Sequence, residues 1–198
     1  MIQIFEQGYF RGSRISDTNL KEVLNETKYF STGGKVSHKT TVFLSHKHND
    51  LEDLQGFIGF LKNTYNVDVY IDSIDPNMPK NTSGETAKRI KEIIKKCDRF
   101  ILIATDAAID SKWCNWELGF GDAQKFQDKI AILPMKKQGN SDWQYNGNEY
   151  LYIYPCIAYY SGVEQYTDGT LIPKGYYVCT QNSSGNRTIK SLSIWLAK

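Results

Sequence analysis

Residues 41–65 read TVFLSHKHNDLEDLQGFIGFLKNTY, and their order decides the fold class. Thr41-Val42-Phe43-Leu44 is a short apolar run of β-branched and aromatic residues, which predicts a buried strand. The polar stretch from Ser45 to Asp50 predicts a loop. Leu51, Leu54, Phe57, Ile58, Leu61 and Tyr65 then fall on one face of a 3.6-residue period, with Asn49 or Asp50 placed to cap the helix.

The same unit recurs downstream. Val67 to Ile71 predicts a second strand, followed by the breaker-rich loop Ser73-Ile74-Asp75-Pro76-Asn77-Met78-Pro79-Lys80-Asn81. Thr82 with Glu85 three residues later forms a capping-box pattern, and Ala87, Ile90, Ile93, Ile94 and Cys97 give the next helix its apolar stripe. Phe100 to Ala104 predicts a third strand. Asp110 or Ser111 can cap a helix reaching about Phe126, and Ile130 to Leu133 predicts a fourth strand. Strands apolar throughout, alternating with amphipathic helices, require a parallel sheet covered on both faces. The expected fold is therefore α/β, an open flavodoxin-like doubly wound sheet.

The flanks are less regular. Residues 1–39 read as a polar N-terminal extension with one helix, from about Asp17 to Tyr29, and Ser31 to Gly34 as a linker. Beyond Pro134, in the tyrosine-rich region 140–198, Tyr150 to Tyr160 predicts a strand, Tyr176 to Cys179 another, and Ile189 to Leu196 a closing helix.

Composition removes several function classes. Acids and bases nearly balance, leaving a formal charge of +2 over 198 residues, so no global field draws nucleic acid or an anionic membrane. No stretch approaches the roughly 20 apolar residues of a membrane span, and MIQIFEQGYFRGSR lacks a signal-peptide core, so the expected compartment is the cytoplasm. The four cysteines form no CxxC pair and read as reduced core residues. No G-x-G-x-x-G follows a strand and no P-loop occurs. His46 and His48 lack further ligands at metal spacing, so no metal is expected.

In open α/β sheets the ligand sits beyond the carboxyl ends of the strands, which directs attention to Ser45 to Asp50, Asp72 to Ser83 and Thr105 to Lys112. The last loop enters SKWCNWELGF (111–120), where Trp113 and Glu117 share one helical face. Taken alone, such a carboxylate can merely complement the helix dipole and the tryptophans can merely pack.

Three segments in order, FLSHKHND, the proline-bearing loop from Asp72, and SKWCNWELGF, resemble the signature segments of the TIR (Toll/interleukin-1 receptor) domain family across residues 40–135. The resemblance implies a TIR domain over 40–198, with the less certain part at 140–198. Enzymatic members carry a W-x-x-x-E pattern, which Trp113 and Glu117 match. It therefore implies an enzyme that cleaves the nicotinamide–ribose bond of NAD+, used as substrate with no further cofactor. The product would be ADP-ribose or a cyclic variant. Glu117 would be catalytic, with Trp113, Ser45, His46 and Asp72 in substrate binding. A receiver domain would instead need acidic residues where Ser45 and His46 stand. The 72–83 loop would mediate self-association. The size resembles the stand-alone bacterial TIR component of Thoeris anti-phage systems, whose product a separate nucleotide-sensing effector reads. The alternative is a non-catalytic TIR adaptor or effector acting through TIR–TIR contacts.

Overall fold

The computed structural model describes residues 4–15, 23, 25–27, 38–47, 50–78, 83–125, 127–139, 149–181 and 186–197. The predicted alternation is present: β2 (Thr41–Ser45), α1 (Leu51–Tyr65), β3 (Asp68–Tyr70), α2 (Gly84–Lys96), β4 (Arg99–Ala104), α4 (Lys112–Gln124) and β5 (Ile130–Lys136). A short helix α3 (Asp106–Ile109), capped by the Thr105 side chain, precedes α4. The chain ends in β6 (Cys156–Tyr160), β7 (Gly175–Gln181), β8 (Arg187–Ser191) and the short helix α5 (Leu192–Leu196).

The sheet runs in the order β3-β2-β4-β5-β6-β7-β8. β3 through β6 pair in parallel, whereas β7 and β8 continue the sheet antiparallel. A two-residue strand β1 (Phe5–Glu6) pairs parallel with the end of β5, opposite Met135 and Lys136.

Strand alternation divides the core into two layers. Val42, Leu44, Ile101, Ile103 and Leu133 point to one face, against Phe57, Ile58 and Leu61 of α1 and Trp195 of α5. Phe43, Phe100, Leu102 and Ile132 point to the other, against Ile90, Ile93 and Ile94 of α2 and Cys114 and Leu118 of α4. Phe43 is stacked between Tyr70 and Phe100 at centroid separations of 5.6 and 5.4 Å, welding three adjacent strands.

The N-terminal segment is bound into the first layer. Phe5, Phe10 and Ile15 are buried in the same cluster as Phe57 and Phe60. Gly56 and Gly59, one turn apart on α1, let the backbone of residues 10–13 lie directly on the helix. A Cβ at Gly56 would sit 2.7 Å from the Phe10 carbonyl oxygen, and one at Gly59 only 1.8 Å from that of Ser13. The Gly8 amide donates to Asp53 Oδ1 at 2.5 Å.

Local readings differ from the structure at several places. The α2 cap lies one residue later than predicted: Ser83 accepts from the Thr86 amide while the Thr86 hydroxyl accepts from the Ser83 amide. Thr82 lies outside the described residues. Asp50 occupies the N-cap position of α1, but its side chain makes no cap bond. Residues 149–153 form a 3-10 turn rather than the start of a strand, because Pro155 has no amide to offer the ladder and pairing begins at Cys156. Arg187–Ser191 pairs with β7 as a strand, and the closing helix starts only at Leu192, where Ser191 accepts from the Ile194 amide. Of the helix read over Asp17 to Tyr29, Val23 and residues 25–27 are helical; the remainder and the linker at 31–34 lie outside the described residues.

Candidate functional site

β2 has β3 on one side and β4 on the other, so successive connections leave it in opposite directions and make the carboxyl ends of β2 and β4 the switch point of the sheet, the position at which open α/β sheets bind ligands. Ser45 closes β2, and α4 begins beside it. Ser111 caps α4 by accepting from the Cys114 amide, placing Trp113, Cys114 and Glu117 in its first turns.

Ser45 and Glu117 meet directly. The Ser45 hydroxyl donates to Glu117 Oε2 at 2.6 Å across a separation of 72 residues. Both residues are essentially inaccessible, at 0% and 1% exposure, although carboxylates are rarely buried without pairing. Glu117 Oε1 is buried and accepts no hydrogen bond of normal geometry among the described residues, although the Trp113 side chain lies close enough to interact with the carboxyl. The Glu117 carboxyl is held well above the usual carboxylate range, first by burial and then by the nearby Asp72 charge; Ser45 and Trp113 oppose that shift.

His46 joins the site to the loop after β3. Its ring is buried, with Nε2 2.9 Å from Ser73 Oγ and Nδ1 3.8 Å from Asp72 Oδ1. Its backbone carbonyl accepts from the Cys114 thiol at 3.4 Å, tying the β2 end to α4. Asp72 is itself buried and opens the 3-10 turn Asp72–Ile74. Three residues on, buried Asp75 accepts from the Tyr70 hydroxyl at 2.8 Å and from Arg89 Nε at 3.3 Å, anchoring the loop inward. Residues 79–82 of this loop lie outside the described set.

Trp113 is half-buried, its ring centroid 5.0 Å from that of Trp116, which in turn stacks at 6.2 Å on Phe120. Lys91 Nζ lies 5.6 Å above Trp116, extending this aromatic row toward α2.

The structure thus brings Ser45, His46, Asp72 and Glu117 into one contact network, with Trp113 at its edge. Sequence reading placed Asp50 and Thr105 in the loops beyond the strands but did not pair them. The Thr105 hydroxyl donates to Asp50 Oδ2 at 2.5 Å, bridging the loops after β2 and β4 at the switch point. Burial raises the Asp50 carboxyl, with the Thr105 bond acting against it. The signal available was position alone: both residues follow adjacent strands at the switch point. Among the described residues, no group of three or more His, Cys, Asp or Glu could hold a metal ion, and no helix is long and apolar enough to cross a membrane. His48 lies outside that set.

A buried carboxylate with one uncommitted oxygen suits a cation. Water competes weakly there, so attraction to a positive centre is stronger than at an exposed glutamate.

Residues 42–154 match the family described as TIR domain. The chain is also similar to the probable 3' cyclic ADP-D-ribose synthase ThsB' of Bacillus cereus (strain MSX-D12), at 34% identity over 119 residues. That alignment covers 59% of this chain and 60% of the relative, so it spans less than two thirds of the relative's length.

Proposed function

The chain belongs to the TIR domain family, and from that premise we propose that it cleaves the nicotinamide–ribose bond of NAD+ and releases ADP-ribose in linear or cyclic form. The observation that carries this reading is Glu117, buried at the switch point with Oε1 accepting no hydrogen bond of normal geometry among the described residues. The name of the Bacillus cereus relative, a probable cyclic ADP-ribose synthase, supports the same chemistry.

The bond to nicotinamide breaks with its electron pair passing to the ring nitrogen, so the leaving group departs neutral and needs no acid. Positive charge is left on the ribose, where Glu117 stabilises it. Burial and the Asp72 charge favour the protonated carboxyl; the cationic nicotinamide ribosyl group would pull its pKa down, so substrate binding itself recruits the anion. Ser45 orients Oε2 and leaves Oε1 for the substrate. Trp113 stacks on nicotinamide or, in cyclisation, on adenine. His46 and Asp72 shape the nicotinamide side of the site, and NAD+ serves as substrate with no separate cofactor.

We further assign the protein to the cytoplasm, to self-association through the 72–83 loop, and to anti-phage defence of the Thoeris type, in which a separate effector reads the product. Incubation with NAD+ across a protein dilution series, with nicotinamide and adenine-containing products separated and weighed by mass, tests the reading. Nicotinamide appearing together with an ADP-ribose isomer is expected, with specific activity rising with concentration. NAD+ left intact by folded protein throughout the series would favour a non-catalytic interaction domain.

A further inference from the structure

Beyond the family-matched residues, β6 and β7 set two thiols directly opposite one another, Cys156 against Cys179 in the antiparallel register. We propose that Cys156 and Cys179 form a peroxide-sensitive dithiol, an oxidation site that closes to a disulfide joining β6 to β7. Residues directly opposed in an antiparallel pair have Cα atoms about 4.5–5.5 Å apart, within the roughly 4.4–6.8 Å that a disulfide spans.

The pair stands apart from both main core layers, in a small cluster with Ala158, Ile172 and Tyr177. The two thiols interact with each other, and the Tyr160 hydroxyl lies 3.5 Å from Cys179 Sγ. The two sulfurs are therefore not equivalent. Donation from Cys156, then from Tyr160, with the Arg187 charge adding, holds the Cys179 thiol below the ordinary thiol range, whereas the partnership pushes Cys156 up. The Tyr160 hydroxyl beside Cys179 Sγ makes Cys179 the nucleophile and leaves Cys156 as the resolving thiol. Cys97 and Cys114 are built the other way: burial drives their thiols up to about 12 and about 11.

Both members are buried, at 8% and 3% exposure, which selects a small neutral peroxide as oxidant over a bulky disulfide. The Cys179 thiolate attacks a peroxide oxygen: an S–O bond forms, the O–O bond breaks, and hydroxide leaves to be protonated to water. Cys156, giving up its proton, then attacks the Cys179 sulfur; the S–S bond forms, the S–O bond breaks, and a second water departs. Two thiols are oxidised by two electrons, and one peroxide is reduced to two waters. In a reducing compartment the bond would be transient, as befits a sensor rather than a structural staple.

The test treats the full chain with hydrogen peroxide, then denatures it, alkylates it and analyses its peptides by mass. Of the four thiols in the chain, the native protein is expected to lose two, with a linked peptide joining Cys156 to Cys179 and full recovery on dithiothreitol treatment. Cys156→Ser should leave Cys179 trapped as a sulfenic acid that dimedone captures, and Cys179→Ser should retain its thiols. A native chain keeping all four thiols would overturn the proposal, as would separate sulfinic acids with no linked peptide. Equally fatal would be a folded Cys179→Ser chain, checked by its melt, that loses thiols as fast as the native one.

Discussion

Replacing Gly59 by alanine should destabilise this protein, against the direction set by helix propensity. Within α1 the alanine would gain about 1 kcal/mol by propensity alone. Its Cβ, however, would stand 1.8 Å from the Ser13 carbonyl oxygen and 3.0 Å from Ile15 Cγ2, about 1.6 Å short of ordinary contact with the former, which begins at 3.4 Å. The obstacle is backbone, so no rotamer change relieves it. Overpacking of this kind costs about 1–3 kcal/mol. If the segment lifts instead, Phe10 and Ile15 lose their burial, each contributing about 1.5–3 kcal/mol. Less the propensity gain of about 1 kcal/mol, the net loss is up to about 2 kcal/mol if the segment stays in place and about 2–5 kcal/mol if it lifts, lowering the melting temperature by about 2–4 °C for each kcal/mol in a chain of this length. Gly119→Ala is the matched control: it lies exposed on α4 with nothing within 4 Å of an added Cβ and should gain about 0.5–1 kcal/mol. Thermal melts of both variants beside the native chain read the difference. A Gly59→Ala chain melting at or above the native temperature would refute the packing argument.

Ser45→Ala removes the hydroxyl that holds Glu117 Oε2, and should cost about 1–3 kcal/mol of stability and slow NAD+ turnover; denaturant melts and nicotinamide release measure both. Thr105→Val strands the buried Asp50 carboxylate and uncaps α3, so a combined loss of about 2–4 kcal/mol is expected by denaturant titration. Glu117 titrates above its ordinary value in the folded protein, so between the two values the folded state holds more protons than the unfolded chain, and stability falls as pH rises. The melting temperature of Glu117→Gln minus that of the native chain should therefore widen from pH 4.5 to pH 8, and a gap independent of pH would contradict the burial argument.

Much of the frame was legible because β2, β4 and β5 are continuous apolar runs and α1 and α2 carry clear stripes. The strap at residues 5–15 was not, since Ile4-Phe5 and Tyr9-Phe10 are short apolar pairs with no sustained period, and a loop-like segment shows its burial only when something accepts it. What accepts it is a pair of glycines on α1, which in isolation read as weak points of a helix. At the site, the four-residue spacing of Trp113 and Glu117 marked the right face of α4, but the Ser45 partnership spans 72 residues and leaves no local pattern. Asp50 was legible as a cap and bonds instead to Thr105 in the loop after β4, because a short acidic side chain at a loop end can bond to either. At the far edge of the sheet, Arg187 to Ser191 shows no helical stripe; Thr188 and Ile189, both β-branched, pair with β7.

The most direct measurement is nicotinamide release from NAD+ by the native chain and by Glu117→Gln, at equal high protein concentration, with melts recorded on the same samples. Release by the native chain and a rate lower by about 100-fold or more in a variant that melts at least as high is the expected result. Equal release by both chains would contradict the role of Glu117, and release by neither would contradict the proposed activity.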